Sequence, residues 1–304
     1  MGRDFCEMEQ IICQALAKVN LGLEVGSQRA DGYHEIITLF QTIDLKDQLM
    51  FKSRADGQII LSGNRQDILW DKNNLIYRAA LLLRQETGST RGAEIIVGKS
   101  IPPGRGLAGG SSNAAITLMA LNRLWGLNLT LERLLTIATE LGADAPFFFF
   151  GGLCLGQGKG EQLQPLADLP TGWLLVVIPD FPVSTAMAYQ EYKRQAGCLT
   201  SQNKESKIYQ FLETKNIKLF QQLTNDLELI VFKIHPQLAE IKKALISAGA
   251  ELSLMSGSGS AVFGWFRTLT LAKKAAESLK TGHRALCLKT VGRESYWHKI
   301  STGA

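Results

Sequence analysis

Apolar residues recur along this chain at two spacings, and the spacing predicts the elements. Helical spacing, with apolar positions every third or fourth residue, runs over Leu75 to Thr87 and stops at Gly88. It returns over Ser111 to Trp125, which reads as a mostly buried helix, and over Leu131 to Leu141, where Thr130 can cap the start and Gly142 the end. Two more helices are predicted over Pro236 to Ala248, with proline in the first turn, and over Thr270 to Thr281, ending at Gly282. Shorter β-branched or continuous apolar runs predict strands at Ile12–Val25, Ile36–Leu45, Gln58–Ser62, Ala93–Val97, Phe147–Phe150, Trp173–Ile178, Ser253–Ser256, Ala261–Phe266 and Ala285–Val291. Lys193 to Asn216 is polar and reads as containing a mobile loop, with no helix picked out in it. The pattern loosens between Leu163 and Thr171, near Pro165, Pro170 and Gly172, which divides the chain into units 1–168 and 169–304. Strands and helices mix in both units without regular β-α-β alternation, so the expected class is α+β rather than a doubly wound sheet.

Composition narrows the ligand more than the fold. With 45% hydrophobic and 20% charged residues among 304, the chain can bury a sizeable core. Its net charge of +5 is mild and spread out, which disfavours nucleic acid as a partner and suits a small anionic substrate. No apolar run approaches the roughly 18 residues that a membrane span needs. The opening MGRDFCEMEQ has acids and no apolar run, so no signal peptide is expected, and Cys6 stands where a myristoylation motif wants Ser or Thr. Five cysteines without C-x-x-C spacing read as the reduced thiols of a cytoplasmic protein.

The stretch GRGLAGGSSNAA, Gly104 to Ala115, carries the chemistry. Its first six residues match the dinucleotide fingerprint G-x-G-x-x-G. That motif needs a strand running straight into the first glycine and an acid about 20 residues on for the ribose. Here Pro102 and Pro103 intervene, and the next acid, Glu132, opens another helix, so the match is accidental. The physical content survives: Gly104, Gly106, Gly109 and Gly110 permit close backbone approach, and Ser111 and Ser112 open a helix whose free amides favour an anion. No Gly-Lys-Ser/Thr follows, so this is not a Walker loop.

The pattern P-x-G-x-G-L-x-G-G-S-S-N-A-A, Pro102 to Ala115, resembles the ATP loop of the GHMP kinases. AKVNLGL (Ala17–Leu23), RADGYHEI (Arg29–Ile36), LGADAPFF (Leu141–Phe148) and MSGSGSAVFG (Met255–Gly264) resemble the branch of that superfamily that phosphorylates a cytidyl diphosphate. Homoserine- and mevalonate-type kinases are the alternative, and they have no need of a cytidine element at Tyr33-His34. The resemblance implies two α+β domains with the site between them: an N-terminal domain like ribosomal protein S5 domain 2 and a ferredoxin-like C-terminal one. It implies ATP and Mg²⁺ as cofactors, a small-molecule substrate, no nucleic acid or membrane partner, and a monomer or weak homodimer in the cytoplasm.

Residue by residue, the resemblance makes Asp144 the base and Lys18 its partner. Asp144 follows a helix stop and precedes Pro146, a rigid place from which to present a carboxylate. Lys18 stands in an apolar strand, where its charge must emerge at an edge or be paired. Asn20 shares its face by period two. Tyr33 and His34 fall to the cytosine, Tyr189 to stacking on it, and Thr185 to the substrate nearby. Pro102, Pro103, Gly104, Arg105, Gly106, Leu107, Ala108, Gly109, Gly110, Ser111 and Ser112 wrap the phosphates, with Asn74, Leu75 and Lys99 bordering the adenosine. Ser111 is a candidate magnesium ligand, and Gly257 to Ser260 line the cleft from the second unit. Arg105 and Ala108 depart from the small residues common at those positions: Arg105 either adds a phosphate contact or points to solvent, and Ala108 restricts the loop. Met1 to Gln14 forms a longer start than usual and carries no assigned role.

Overall fold

The computed structural model describes residues 10–196, 205–279 and 282–301. The first nine residues, with Cys6, therefore lie outside the described residues, as do Cys198, the centre of the polar 193–216 stretch and the final turn expected at 280–281. Among the described residues, Cys13, Cys154 and Cys287 are free thiols.

A long antiparallel ribbon organises the chain. Strand β1 (Gln10–Gln28) pairs along nearly all of β2 (His34–Arg54). On its other edge β2 meets β4 (Gly92–Gly98) and β5 (Leu153–Gln157), while β3 (Ile59–Gly63) and β6 (Gln162–Pro165) close the sheet in the order β3-β4-β2-β5-β6. Helices α1 (Leu75–Thr87), α2 (Gly109–Leu124) and α3 (Leu131–Leu141) cover one face. Their ends fall where the caps predict: Gly88 is left-handed at φ 67°, and the Thr130 hydroxyl accepts the Arg133 amide at 3.3 Å. The Asn74 side chain caps α1, a role beyond the one assigned to it. Because α2 packs against α1, α3 and β1 at once, it is apolar almost all round.

The second sheet has the order β10-β7-β9-β8, built from β7 (Trp173–Ile178), β8 (Leu252–Met255), β9 (Val262–Phe266) and β10 (Arg284–Lys289). Its neighbours pair antiparallel. Between β7 and β8 run α4 (Thr185–Ala196), α5 (Lys207–Thr214), α6 (Ile217–Phe220), α7 (Glu228–Ile234) and α8 (Pro236–Ser247). Helix α9 (Leu269–Ser278) joins β9 to β10. Numbered within the unit, the strands lie 4-1-3-2, the ferredoxin-like arrangement. One face packs on α8 and α9. The other shares a core with the ribbon, where Val19, Leu21 and Leu39 meet Val176, Leu254 and Phe263. The middle of β1 is thus covered on both sides, and Ala15 to Leu23 is buried without a break, Lys18 and Asn20 included.

Two expectations need correction. Phe147–Phe150 is not a strand; Ala145–Phe149 forms a 3₁₀ helix. Pro146 sits in its first turn and has no amide for a sheet ladder. Phe147, Phe148 and Phe149 are all buried, so apolar periodicity says nothing about the conformation. The 193–216 stretch is not simply loop: α4 runs to Ala196, and α5 starts at Lys207, capped by the Ser206 hydroxyl accepting the Tyr209 amide at 3.2 Å. Ile208 and Phe211, three apart, supply the buried face that the polar composition hid.

Helix α10 (Arg293–Ser301) returns to the first unit. Tyr296 is fully buried there, and its hydroxyl donates to the Phe148 carbonyl. Residues after 290 therefore complete the first core rather than the second.

Candidate active site

A cavity of about 940 Å³ opens where the ribbon, the start of α2 and the second sheet meet. Lys18 and Asn20 reach it from β1. They lie between register shifts at Leu16/Ala17 and Asn20/Gly22, so two bulges flank the segment that carries them. Lys18 is buried, and its ammonium donates to Asn20 Oδ1 at 2.7 Å and pairs with Asp144 Oδ2 at 3.1 Å. Asn20 in turn donates to Thr38 Oγ1 at 2.8 Å, and Thr38 to the Gly22 carbonyl at 2.7 Å. A buried cation is thus tied into a chain of fixed donors and acceptors, which holds it in one geometry. Asp144, just before the 3₁₀ helix, keeps 34% of its side chain exposed, and it lines the cavity. Its carboxylate is therefore both oriented and reachable.

The glycine loop forms the adjoining wall. Gly104 and Gly106 have φ of 66° and 74°, and Ala108 is also left-handed at 53°. Helix α2 begins at Gly109, so the first-turn amides have no intrahelical carbonyl, and Gly109, Gly110 and Ser111 line the cavity, a start suited to an anion. Four contacts fix the loop from behind. The Lys18 amide donates to the Leu107 carbonyl at 3.2 Å and Ser256 Oγ to the Gly106 carbonyl at 2.8 Å, while the Ala261 amide donates to the Arg105 carbonyl at 3.2 Å. The Arg105 side chain makes the fourth contact, donating to the carbonyls of Pro179 at 3.0 Å and Asp180 at 2.8 Å. Arg105 does not simply point to solvent: its guanidinium lines the cavity and staples the loop to the exit of β7. Leu107 and Ser112 face away from the cavity, Leu107 buried and Ser112 Oγ donating to the Leu16 carbonyl at 2.7 Å. Ser111 lines the cavity, as do Asn74, Leu75, Pro102 and Pro103.

Ala108 makes a simple prediction. A left-handed alanine costs about 1–2 kcal/mol, part of which glycine's greater unfolded-state freedom takes back. Ala108→Gly should raise stability by about 0.5–1 kcal/mol, a melting-temperature gain of roughly 1–3 °C in a thermal scan. A lower melting temperature would show that the alanine methyl contributes more by packing than it costs in strain.

Across the cavity stand the other predicted residues. His34 Nδ1 lies 3.0 Å from the Gly26 carbonyl; since a carbonyl only accepts, Nδ1 carries the proton and Nε2 is left as an acceptor. The Tyr189 ring lies nearly parallel to it, centroids 5.9 Å apart, and Tyr192 meets it edge-on. Burial pushes the Tyr189 phenol far above its ordinary range, so it stays neutral. Tyr33 is exposed, with the Lys159 ammonium 4.7 Å from its ring centre. Thr185 Oγ1 is 2.7 Å from Ser258 Oγ, which joins α4 to the second glycine loop. That loop is held by Asn225, whose amide donates to the Met255 and Gly257 carbonyls at 2.7 Å each.

Among the described residues, Lys18, Lys99, Arg105, Lys159 and Lys193 line the cavity against the single carboxylate of Asp144, a balance suited to a polyphosphate. Lys99 is buried and ion-paired with Asp47, and burial pushes its ammonium below the usual lysine range. Among the described residues no three His, Cys, Asp or Glu side chains gather as metal ligands, and no helix is long and apolar enough to cross a membrane. Sequence reasoning missed Asp47, Lys159, Ser256 and Asn225. For Asp47 a signal was present: Leu45, Leu49 and Phe51 alternate with it on one strand face, so it marks an acid on a buried stripe.

Comparison with known proteins places the chain in a family. The model of the GHMP kinases N terminal domain matches residues 74–152, and that of the GHMP kinases C terminal matches residues 208–284. The chain is 43% identical over 270 residues to a 4-diphosphocytidyl-2-C-methyl-D-erythritol kinase from Thermodesulfovibrio yellowstonii, covering 87% of this chain and 93% of that protein. A crystal structure of 4-(cytidine 5'-diphospho)-2C-methyl-D-erythritol kinase superposes with a TM-score of 0.77 at 35% identity, covering 93% of this chain and 100% of the other. A homoserine kinase from Cytophaga hutchinsonii has a TM-score of 0.75 at 19% identity, covering 97% and 98%, a likeness of fold alone.

Proposed function

Since the chain belongs to the 4-diphosphocytidyl-2-C-methyl-D-erythritol kinases, within the GHMP kinases, we propose that it transfers the γ-phosphoryl group of ATP to the 2-hydroxyl of that cytidyl diphosphate. It is an ATP-dependent small-molecule kinase acting in isoprenoid precursor synthesis by the non-mevalonate route. The observation that carries the proposal within the cavity is the Lys18–Asp144 pair beside the amide-rich start of α2.

In this reading the substrate's 2-hydroxyl oxygen attacks the γ-phosphorus, and its proton passes to Asp144. The bond from that phosphorus to the bridging oxygen breaks, and the electron pair leaves with ADP. Little covalent chemistry falls to the protein; alignment and charge stabilisation do most of the work. Lys18 holds Asp144 in place and stabilises charge developing on the attacking oxygen, while Asn20 fixes Lys18. The loop from Pro102 to Ser111 cradles the triphosphate and Asn74 and Leu75 border the adenosine side, while the Lys99 ammonium beside them is engaged by Asp47. Leu107 and Ser112 act from behind it as supports. The Ser111 hydroxyl, in the cavity wall at the start of α2, suits a magnesium ion that takes most of its ligands from phosphate and water. Bound there, magnesium would neutralise phosphate charge.

For the base, His34 Nε2 offers an acceptor to the exocyclic amine of cytosine, where uracil presents a carbonyl instead. Tyr33, Tyr189 and Thr185 complete the substrate side. Turnover assays with ATP and, separately, the cytidyl substrate, homoserine and mevalonate test the proposal. Product is expected from the cytidyl substrate alone, and its absence there would sink the reading.

A further inference from the structure

Both stems of the phosphate loop converge on one buried carboxylate. Asp47 has no exposed surface. Its Oδ1 accepts the backbone amides of Ser100 at 2.7 Å and Ile101 at 2.8 Å, on the strand side of the loop. Its Oδ2 accepts from Asn113 Nδ2 at 2.9 Å, on the helix side, and from the Lys99 ammonium. A buried carboxylate with four donors is satisfied, and the Lys99 ammonium supplies its counter-charge. The ammonium also lies beneath the helix start: a methyl group added at Gly109 would sit 2.7 Å from Lys99 Nζ.

We infer that Asp47 is a positioning residue for ATP, holding residues 102–112 in their phosphate-binding shape, and that Lys99 serves it as counter-ion. The inference rests on the ATP-dependent reading above. It assigns Lys99 a first duty to Asp47, although the lysine lines the cavity wall.

In Asp47→Asn the amide oxygen can still accept from Ser100 and Ile101. The new NH₂ group, however, faces two donors, Lys99 and Asn113, and Lys99 loses its counter-charge. ATP dissociation constants from calorimetry, together with KM for the cytidyl substrate, read the effect. Asp47→Asn should weaken ATP binding at least about tenfold while the cytidyl KM stays within about twofold. The double variant Asp47→Asn with Lys99→Met removes both charges. Once the Asn113 amide turns over, the NH₂ group introduced at position 47 can donate to its oxygen. ATP affinity should then return to within about threefold of wild type.

Wild-type ATP affinity in Asp47→Asn would overturn the inference. So would a double variant no better than the single one, since Lys99 would then act on the nucleotide directly. If the single variant does not fold by circular dichroism, the double variant decides alone: near-wild-type ATP affinity supports the inference and weak affinity overturns it. Wild-type protein that binds ATP but does not turn over the cytidyl substrate would refute the substrate proposal and leave this one standing.

Discussion

Asp144→Asn should lower kcat by roughly 10²–10⁴-fold, the usual contribution of a positioned general base, while ATP binds as in wild type. The substitution is nearly isosteric. An asparagine oxygen can still accept the Lys18 ammonium, which the aspartate holds at 3.1 Å, so the pair's geometry survives. What disappears is the capacity to take the proton from the attacking hydroxyl. The glycine loop and the start of α2 do not depend on Asp144 for any hydrogen bond, so the nucleotide site is left intact. Steady-state kcat beside calorimetric ATP binding separates the two effects. A kcat within tenfold of wild type would mean that Asp144 only orients the hydroxyl, with the proton leaving by another route. A parallel loss of ATP affinity would mean that it acts through the loop.

Much of this site was legible because its residues break local rules. A lysine inside an apolar strand, four glycines before a Ser-Ser helix start, and an aspartate between a helix stop and a proline each conflict with simple packing, and such conflicts mark functional positions. Lys18, Gly106 and Asp144 stood out for that reason. The helices were legible where caps bounded them, as at Thr130 and Gly88. Phe147 to Phe149 was misread because residues buried on all sides carry no period. Helix α5 was missed because two buried residues among polar ones fall below any pattern threshold. The loop's supports were hidden for a different reason. Ser256 and the carbonyls of Pro179 and Asp180 lie more than 70 positions away in the chain, and no local spacing encodes their approach. Arg105 illustrates the limit: its sequence context leaves a phosphate contact and solvent both open, and only the tertiary fold shows its guanidinium reaching the Pro179 and Asp180 carbonyls.

Gly106→Ala is the second change expected to be severe, and Gly104→Ala is its matched control. Both glycines have positive φ, 74° and 66°, so an alanine at either place carries similar backbone strain, about 1–2 kcal/mol. They differ in what the methyl group meets. At position 106 it would lie 1.9 Å from the Ser256 carbonyl oxygen and 3.2 Å from that of Gly259, both backbone atoms of the second glycine loop. At position 104 it meets only the Pro182 side chain, at 3.3 Å. The Ser256 carbonyl cannot simply move aside. The Ser256 amide is bonded to the Ala261 carbonyl at 2.9 Å, and the Asn225 amide holds the flanking Met255 and Gly257 carbonyls. The phosphate loop must therefore yield, by about an ångström or more, and a displacement of that size in a positioning element can cost about 10²-fold in rate. For ATP, kcat/KM should fall about 10²-fold or more in Gly106→Ala and less than tenfold in Gly104→Ala, with thermal scans of both variants showing how much is lost stability. Equal losses in the two would assign the effect to backbone strain alone. The close approach of the two glycine loops, with Ser256 Oγ donating to the Gly106 carbonyl at 2.8 Å, would then not be what sets the position of the phosphates.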